Sequence, residues 1–147
     1  MSEADIASKL TFETLLQAAE SIPWNEQRRI GPQAVNILRQ VHAGIDGDDS
    51  IGLDARTLAY EIHALWRFGD RRGAQERLVR LRRITPLGGH ERIVLDVIGE
   101  DMAFLVGSVL AACRAAGADV LIAFHPIIET GRTEDGTREP DRADLRE

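Results

Sequence analysis

Ile93-Val94-Leu95-Asp96-Val97-Ile98, then Gly99-Glu100-Asp101, then a long apolar run to Ala116, then Gly117 and Val120-Leu121-Ile122-Ala123-Phe124, closed by His125-Pro126. Residues 93–126 read as apolar strand, acidic turn, apolar helix, glycine stop and second apolar strand. That is a βαβ unit with no reactive group in its core. The helix is expected over residues 102–116, with Asp101 at its N-cap, where its charge also suits the helix dipole. Phe104, Leu105, Val106, Val109, Leu110 and Cys113 surround more than one face. Such a helix is expected to lie buried between a sheet and a second layer.

Immediately upstream, Leu78-Val79-Arg80-Leu81-Arg82-Arg83-Ile84 alternates, with Val79 and Leu81 facing one way and Arg80 and Arg82 the other. Pro86-Leu87-Gly88-Gly89 is a turn signal, so this segment and the strand from Ile93 form a predicted hairpin. A row of arginines on an outer strand would also discourage edge-to-edge aggregation.

The first half reads as helices. Ile6, Leu10, Leu15, Leu16 and Ala19 recur near helical spacing until Pro23. A second helix is expected over residues 33–43, with Val35, Leu38 and Val41 inward and Pro32 in its first turn. Asp54 is the expected N-cap of a third, running to Phe68 with Leu58, Ile62, Leu65 and Trp66 as its stripe. Residues 130–147 are polar and charged, with too little apolar surface to order themselves. The reading is therefore a helical region over 1–74, a partial βαβ module over 75–129, and a polar tail or linker over 130–147.

The chain has 147 residues, enough for one domain or a small domain with a helical extension. Its net charge of −6 argues against general nucleic-acid binding. Cys113 is the single cysteine, so no intrachain disulfide forms, in keeping with a reducing compartment. The acidic start Met1-Ser2-Glu3-Ala4-Asp5 does not resemble a secretory signal, and no apolar run approaches the ~20 residues that span a bilayer. A cytoplasmic protein without membrane contact is the expectation.

Candidate chemistry is sparse. Asp46, Asp48, Asp49 and Asp54 invite a calcium reading, but the EF-hand needs glycine at the sixth position and glutamate at the twelfth. Counting from Asp46, those positions hold Ile51 and Thr57. His42, His63, His90 and His125 are widely separated, and no metal site is expected. Arg77, Arg80, Arg82, Arg83 and Arg92 form a basic patch, read either as a phosphate or RNA contact or as a sheet face paired with acids. The net charge favours the second. Cys113 reads as a buried, inert thiol. No catalytic residues stand out.

The string GEDMAFLVGSV, residues 99–109, followed by LIAFHPII, residues 121–128, resembles the N-terminal regulatory region of the large bacterial NAD-specific glutamate dehydrogenases. In that family a strand runs into an Asp-Met-Pro-Phe-Leu-Val-Asp-Ser-Val turn and helix, and a later strand ends in His-Pro. Asp101, Met102, Phe104, Leu105, Val106, Ser108, Val109, His125 and Pro126 match. Ala103 and Gly107 stand where the family has proline and a second aspartate, and Gly99-Glu100 replaces its polar-acidic pair. Ala64-Leu65-Trp66-Arg67-Phe68 resembles the family's helix before its first hairpin strand, so the likeness covers residues 64–128.

The resemblance implies an α+β chain whose second half is an incomplete ACT-like (ferredoxin-like) βαββαβ unit, used to sense amino acids or to mediate assembly. A split βαβ leaves a gap between its strands that another strand fills. The chain is accordingly expected to be a fragment, or to have that gap filled by a partner. The implied role is non-catalytic: regulation or assembly of an enzyme that oxidatively deaminates glutamate with NAD, a cofactor held elsewhere in the parent. Implied partners are the rest of the parent polypeptide, further copies in a homo-oligomer, and a small amino-acid effector. The effector would sit at Glu100, Asp101, Met102, Ala103 and Phe104, where helix-start N–H groups meet a carboxylate. A structural interaction domain without a ligand is the alternative, and a small independent enzyme is disfavoured.

Overall fold

Thr11 starts the first helix, α1 (Phe12–Glu20), through a reciprocal cap. Its hydroxyl accepts the Thr14 N–H at 3.1 Å, and the Thr14 hydroxyl accepts the Thr11 N–H at 3.0 Å. The computed structural model describes residues 10–25, 29–45, 53–85 and 90–139. Ile6, the acidic residues 46–49 and the hairpin turn at 86–89 lie outside them. The second helix, α2 (Pro32–Ala43), has the expected proline in its first turn. The third, α3 (Ala55–Phe68), is capped as expected: Asp54 accepts the Thr57 N–H at 2.7 Å and the Thr57 hydroxyl at 2.9 Å.

These three helices hold the core. Every buried apolar side chain among the described residues lies between Leu15 and Ile62, with Leu15 and Leu38 fully enclosed. Each buried leucine, isoleucine or valine among them contributes roughly 1.5–3 kcal/mol by leaving water. On α2, Ala34 and Ile37 join Leu38 and Val41, while Val35 is half-buried. Trp24 closes one end of the core, donating from Nε1 to the Ala19 carbonyl at 2.7 Å and meeting His63 edge-on at 4.9 Å.

Strands β1 (Leu78–Ile84) and β2 (Arg92–Ile98) pair antiparallel as a hairpin, with Arg80 opposite Asp96 and Leu81 opposite Leu95. The alternation is as expected, but the arginines do not form the outer face. Arg80 and Arg82 point at α3, while Val79 and Leu81 face solvent. Acidic partners on the helical side reverse the faces, because Glu61 and Asp96 need cations there.

The fourth helix, α4 (Leu105–Ala115), starts later than expected. Asp101 is not its cap. Phe104 occupies that position at φ 65°, ψ 3°, with no side-chain capping bond. Gly117 ends the helix at φ 82°; its N–H bonds the Arg114 carbonyl, and the Ala118 N–H bonds that of Cys113. No α4 side chain is buried, so the expected sandwiched helix is corrected to a helix on the surface. Cys113 is only half-buried.

Residues 120–124 do not join the sheet, which has two strands among the described residues. Burial instead alternates strictly from Val120 to Thr130. Phe124 and Ile128 pack on the helical core. The Gln40 side chain takes the place of a neighbouring strand, donating to the Ile127 carbonyl at 2.7 Å and accepting the Ile127 N–H at 2.8 Å. Gln33 donates to the Glu129 carbonyl at 2.8 Å. The α+β class is observed as four helices and a two-stranded antiparallel sheet among the described residues.

Residues 131–139, expected to stay an unordered tail, fold as a tight hairpin against the end of α3. Thr133 and Thr137, and Gly131 and Glu139, bond through the backbone, and the Arg72 N–H bonds the Gly136 carbonyl at 3.0 Å. Arginine hydrogen bonds order this segment where apolar burial does not.

Candidate functional site

Glu100, Asp101, Met102, Ala103 and Phe104 come together as one exposed turn between β2 and α4. Phe104 is 87% exposed. Arg77 donates to the Met102 sulfur at 3.1 Å, fixing one side of the turn to the start of β1. With Asp101 outside the cap position, neither acid occupies the start of α4, and that end has no side-chain acceptor. The turn therefore offers helix-start N–H groups beside two carboxylates.

A second cluster joins the sheet to α3. Asp96, 6% exposed, accepts from Arg80 Nε and Nη2 at 3.0 and 2.8 Å and from Arg82 Nε at 2.7 Å. Arg82 also pairs with Glu61 at 2.5 Å, and Arg80 donates to the Ala64 carbonyl at 3.1 Å. The Arg80 guanidinium lies 4.0 Å from the centre of the Phe68 ring. Burial alone would lower the Arg82 pKa, but hydrogen bonds to Asp96 and Glu61 outweigh it and raise the value. Asp96 and Glu61 balance Arg80 and Arg82, so this cluster is a charge-neutralised latch between the sheet and α3. One signal for it was available in the sequence: an aspartate in the middle of an apolar strand.

The third cluster caps α3. Arg138 donates to the Trp66 carbonyl at 2.6 Å and to Asp70 at 3.1 Å, and stacks 3.6 Å from the centre of the Trp66 ring. Arg132 donates to the Gly69 carbonyl at 2.8 Å. Both cations complement the negative end of the helix dipole. Burial pushes the Arg138 pKa down to about 10, with Asp70 opposing and Arg132 adding to the shift. Burial also lowers that of Arg132, helped by Arg72. Sequence reading placed both arginines in a tail, where nothing foretold these partners.

The remaining expected residues are scattered. A surface cavity of about 350 Å³ lies between α3 and the end of β1, lined by Arg56, Thr57, Tyr60, Glu61, Ile84 and Thr85. His42 meets Phe12, and His63 donates to the Pro23 carbonyl at 3.1 Å. No group of three or more His, Cys, Asp or Glu is placed to hold a metal among the described residues. No described helix is long and apolar enough to cross a membrane.

A family model described as "Glutamate dehydrogenase, ACT1 domain" matches residues 37–143. The match runs from within α2 through the sheet, α4, the extended segment and the arginine hairpin, and takes in the whole of residues 64–128. No curated protein and no solved structure matches the chain. The helices, the hairpin and the isolated extended segment are consistent with an incomplete ACT-like fold. The chain belongs to the glutamate dehydrogenase ACT1 domain family, an N-terminal ACT-like regulatory domain of that enzyme.

Proposed function

We propose that this chain is the regulatory and assembly region of an NAD-dependent glutamate dehydrogenase, working in the cytoplasm as part of a homo-oligomer. It takes no direct part in glutamate deamination, and NAD binds elsewhere in the parent. Its ligand is a small amino acid at Glu100–Phe104. The observation that carries this reading is the uncapped start of α4 beside two exposed carboxylates. N–H groups at a helix start suit a carboxylate, and Glu100 and Asp101 suit an ammonium group. A zwitterion presents both.

Binding there acts on the relation between β2 and α4. An effector that favours one arrangement of the assembly shifts it by its difference in affinity, typically ~1–3 kcal/mol. Calorimetric titration of the full chain with the common amino acids tests this. Saturable heat that weakens in the Asp101→Asn variant is expected. If no amino acid gives heat, sensing is wrong.

The second reading is a ligand-free interaction domain. The uncovered aliphatic face of the β1–β2 sheet favours it. In that case light scattering detects assembly that amino acids do not alter.

A further inference from the structure

The outer face of the β1–β2 sheet is apolar and bare. Val79, Leu81, Ile93 and Leu95 are 60%, 70%, 68% and 36% exposed. Leu81 is directly opposite Leu95, and Ile93 is one pair further along, so the four form a continuous patch. Soluble monomers seldom leave such a ladder open unless something docks on it. The same chain carries an apolar helix, α4, with no buried side chain. The helix begins at Phe104, a bulky residue held at positive φ and exposed to solvent, a backbone state that the protomer alone does little to support.

We propose that α4 of one copy covers the outer β1–β2 face of a second copy, reciprocally, in a twofold dimer. The proposal rests on the assembly part of the reading above and not on effector binding. Three observations favour a second copy over the chain's own helix or a foreign partner. First, α4 is tied at its C-terminal end to a segment held on the helical side of the sheet, where Gln40 clamps Ile127. The bare face points the other way, because Arg80 and Arg82 reach α3 from the opposite face. Second, the charges are complementary on balance. Arg77 and Arg83 flank the patch, with Arg83 4.0 Å from Glu91 of its own hairpin, while Glu100 and Asp101 precede α4 and Asp119 follows it against one cation, Arg114, in its last turn, all exposed. One chain thus carries both complementary surfaces, and reciprocal exchange closes the assembly. Third, the helix fits on the face. Eleven helical residues span roughly 16 Å, within the roughly 23 Å spanned by seven strand residues.

Cys113 on α4 provides the test. In the full chain, Leu81→Cys places a second thiol on the bare face. Mild oxidation is expected to give a reducible species of two-chain mass, absent from wild type and from Leu81→Cys/Cys113→Ser. Light scattering is expected to give two chains for wild type and one for Leu81→Asp, with circular dichroism unchanged because Leu81 is already in solvent. A monomeric wild type overturns the proposal, and so does an 81–113 bond within one chain. A dimer that lacks the cross-link and survives Leu81→Asp also overturns it, but leaves assembly through another surface standing.

Discussion

Arg80 and Asp96 face each other across the β-ladder, and Asp96 gathers Arg82 as well, so one nearly buried carboxylate binds two guanidinium groups, with Glu61 supplying the second negative charge. The hairpin is held to α3 by this arrangement, where an ordinary layer interface would use aliphatic contacts.

Replacing Asp96 with Asn keeps the shape and removes the charge. Two arginines are then left facing each other beside Glu61 alone. Breaking a buried pair is costly, but these arginine side chains retain 29% and 20% exposure. The expected loss is about 2–3 kcal/mol of unfolding free energy. Urea denaturation measures it, and an unchanged midpoint would show that the latch contributes nothing.

Phe104 at φ 65° suits glycine better than phenylalanine. Its side chain is almost wholly in water, so little packing is lost on removal. Phe104→Gly is expected to leave stability level or raise it by up to about 1 kcal/mol. A drop of that size in thermal or urea unfolding would mean that the ring makes contacts absent from this structure.

Gly136 has φ 88°, and a Cβ there would lie 2.4 Å from the Arg72 carbonyl oxygen. Arg72 backbone and the 131–139 hairpin cannot both keep their places. Gly136→Ala is expected to detach the hairpin, at a cost of about 1–3 kcal/mol. Hydrogen exchange at Arg72 and Arg138 should speed up. Unaltered protection at both sites counts against the clash.

Burial lowers the His63 pKa from 6.5, against the raising effect of its bond to the Pro23 carbonyl. The unfolded chain then takes up a proton at a higher pH than the folded one. Stability from the neutral ring is present above 6.5 and is lost as pH falls through the folded value. The denaturant midpoint is expected to fall between about pH 7 and pH 5, and to fall less in His63→Gln. Identical slopes would clear His63 of any part in acid sensitivity.

Asp54→Ala removes two hydrogen bonds at the start of α3. A loss of about 1 kcal/mol is expected, as for N-caps generally. Helicity measured by circular dichroism should change little, since the core residues Leu58 and Ile62 hold the helix in place.

Local signals were legible because they depend on neighbours in sequence. Asp54, Pro32 and Gly117 marked helix ends correctly, since caps and φ preferences act within a few residues. Asp101 has the look of a cap without being one, because an acid near a helix start reads the same in sequence whether it lies at the cap or three residues before it. The alternation of 120–124 was visible, but its partner was not. A period of two shows that a segment is extended, not whether a strand or the Gln40 amide meets its backbone.

Sequence alone determined the α+β composition of this chain, the pairing of an arginine-bearing strand with an apolar one, and the kinship that the family match bears out. Those follow from spacing, turn chemistry and a run of matching residues. Tertiary structure decided which sheet face turns inward, that α4 stays on the surface, and that Arg132 and Arg138 fold a polar segment onto α3. Each outcome depends on a charge or a carbonyl supplied from far along the chain, and no local pattern carries its address.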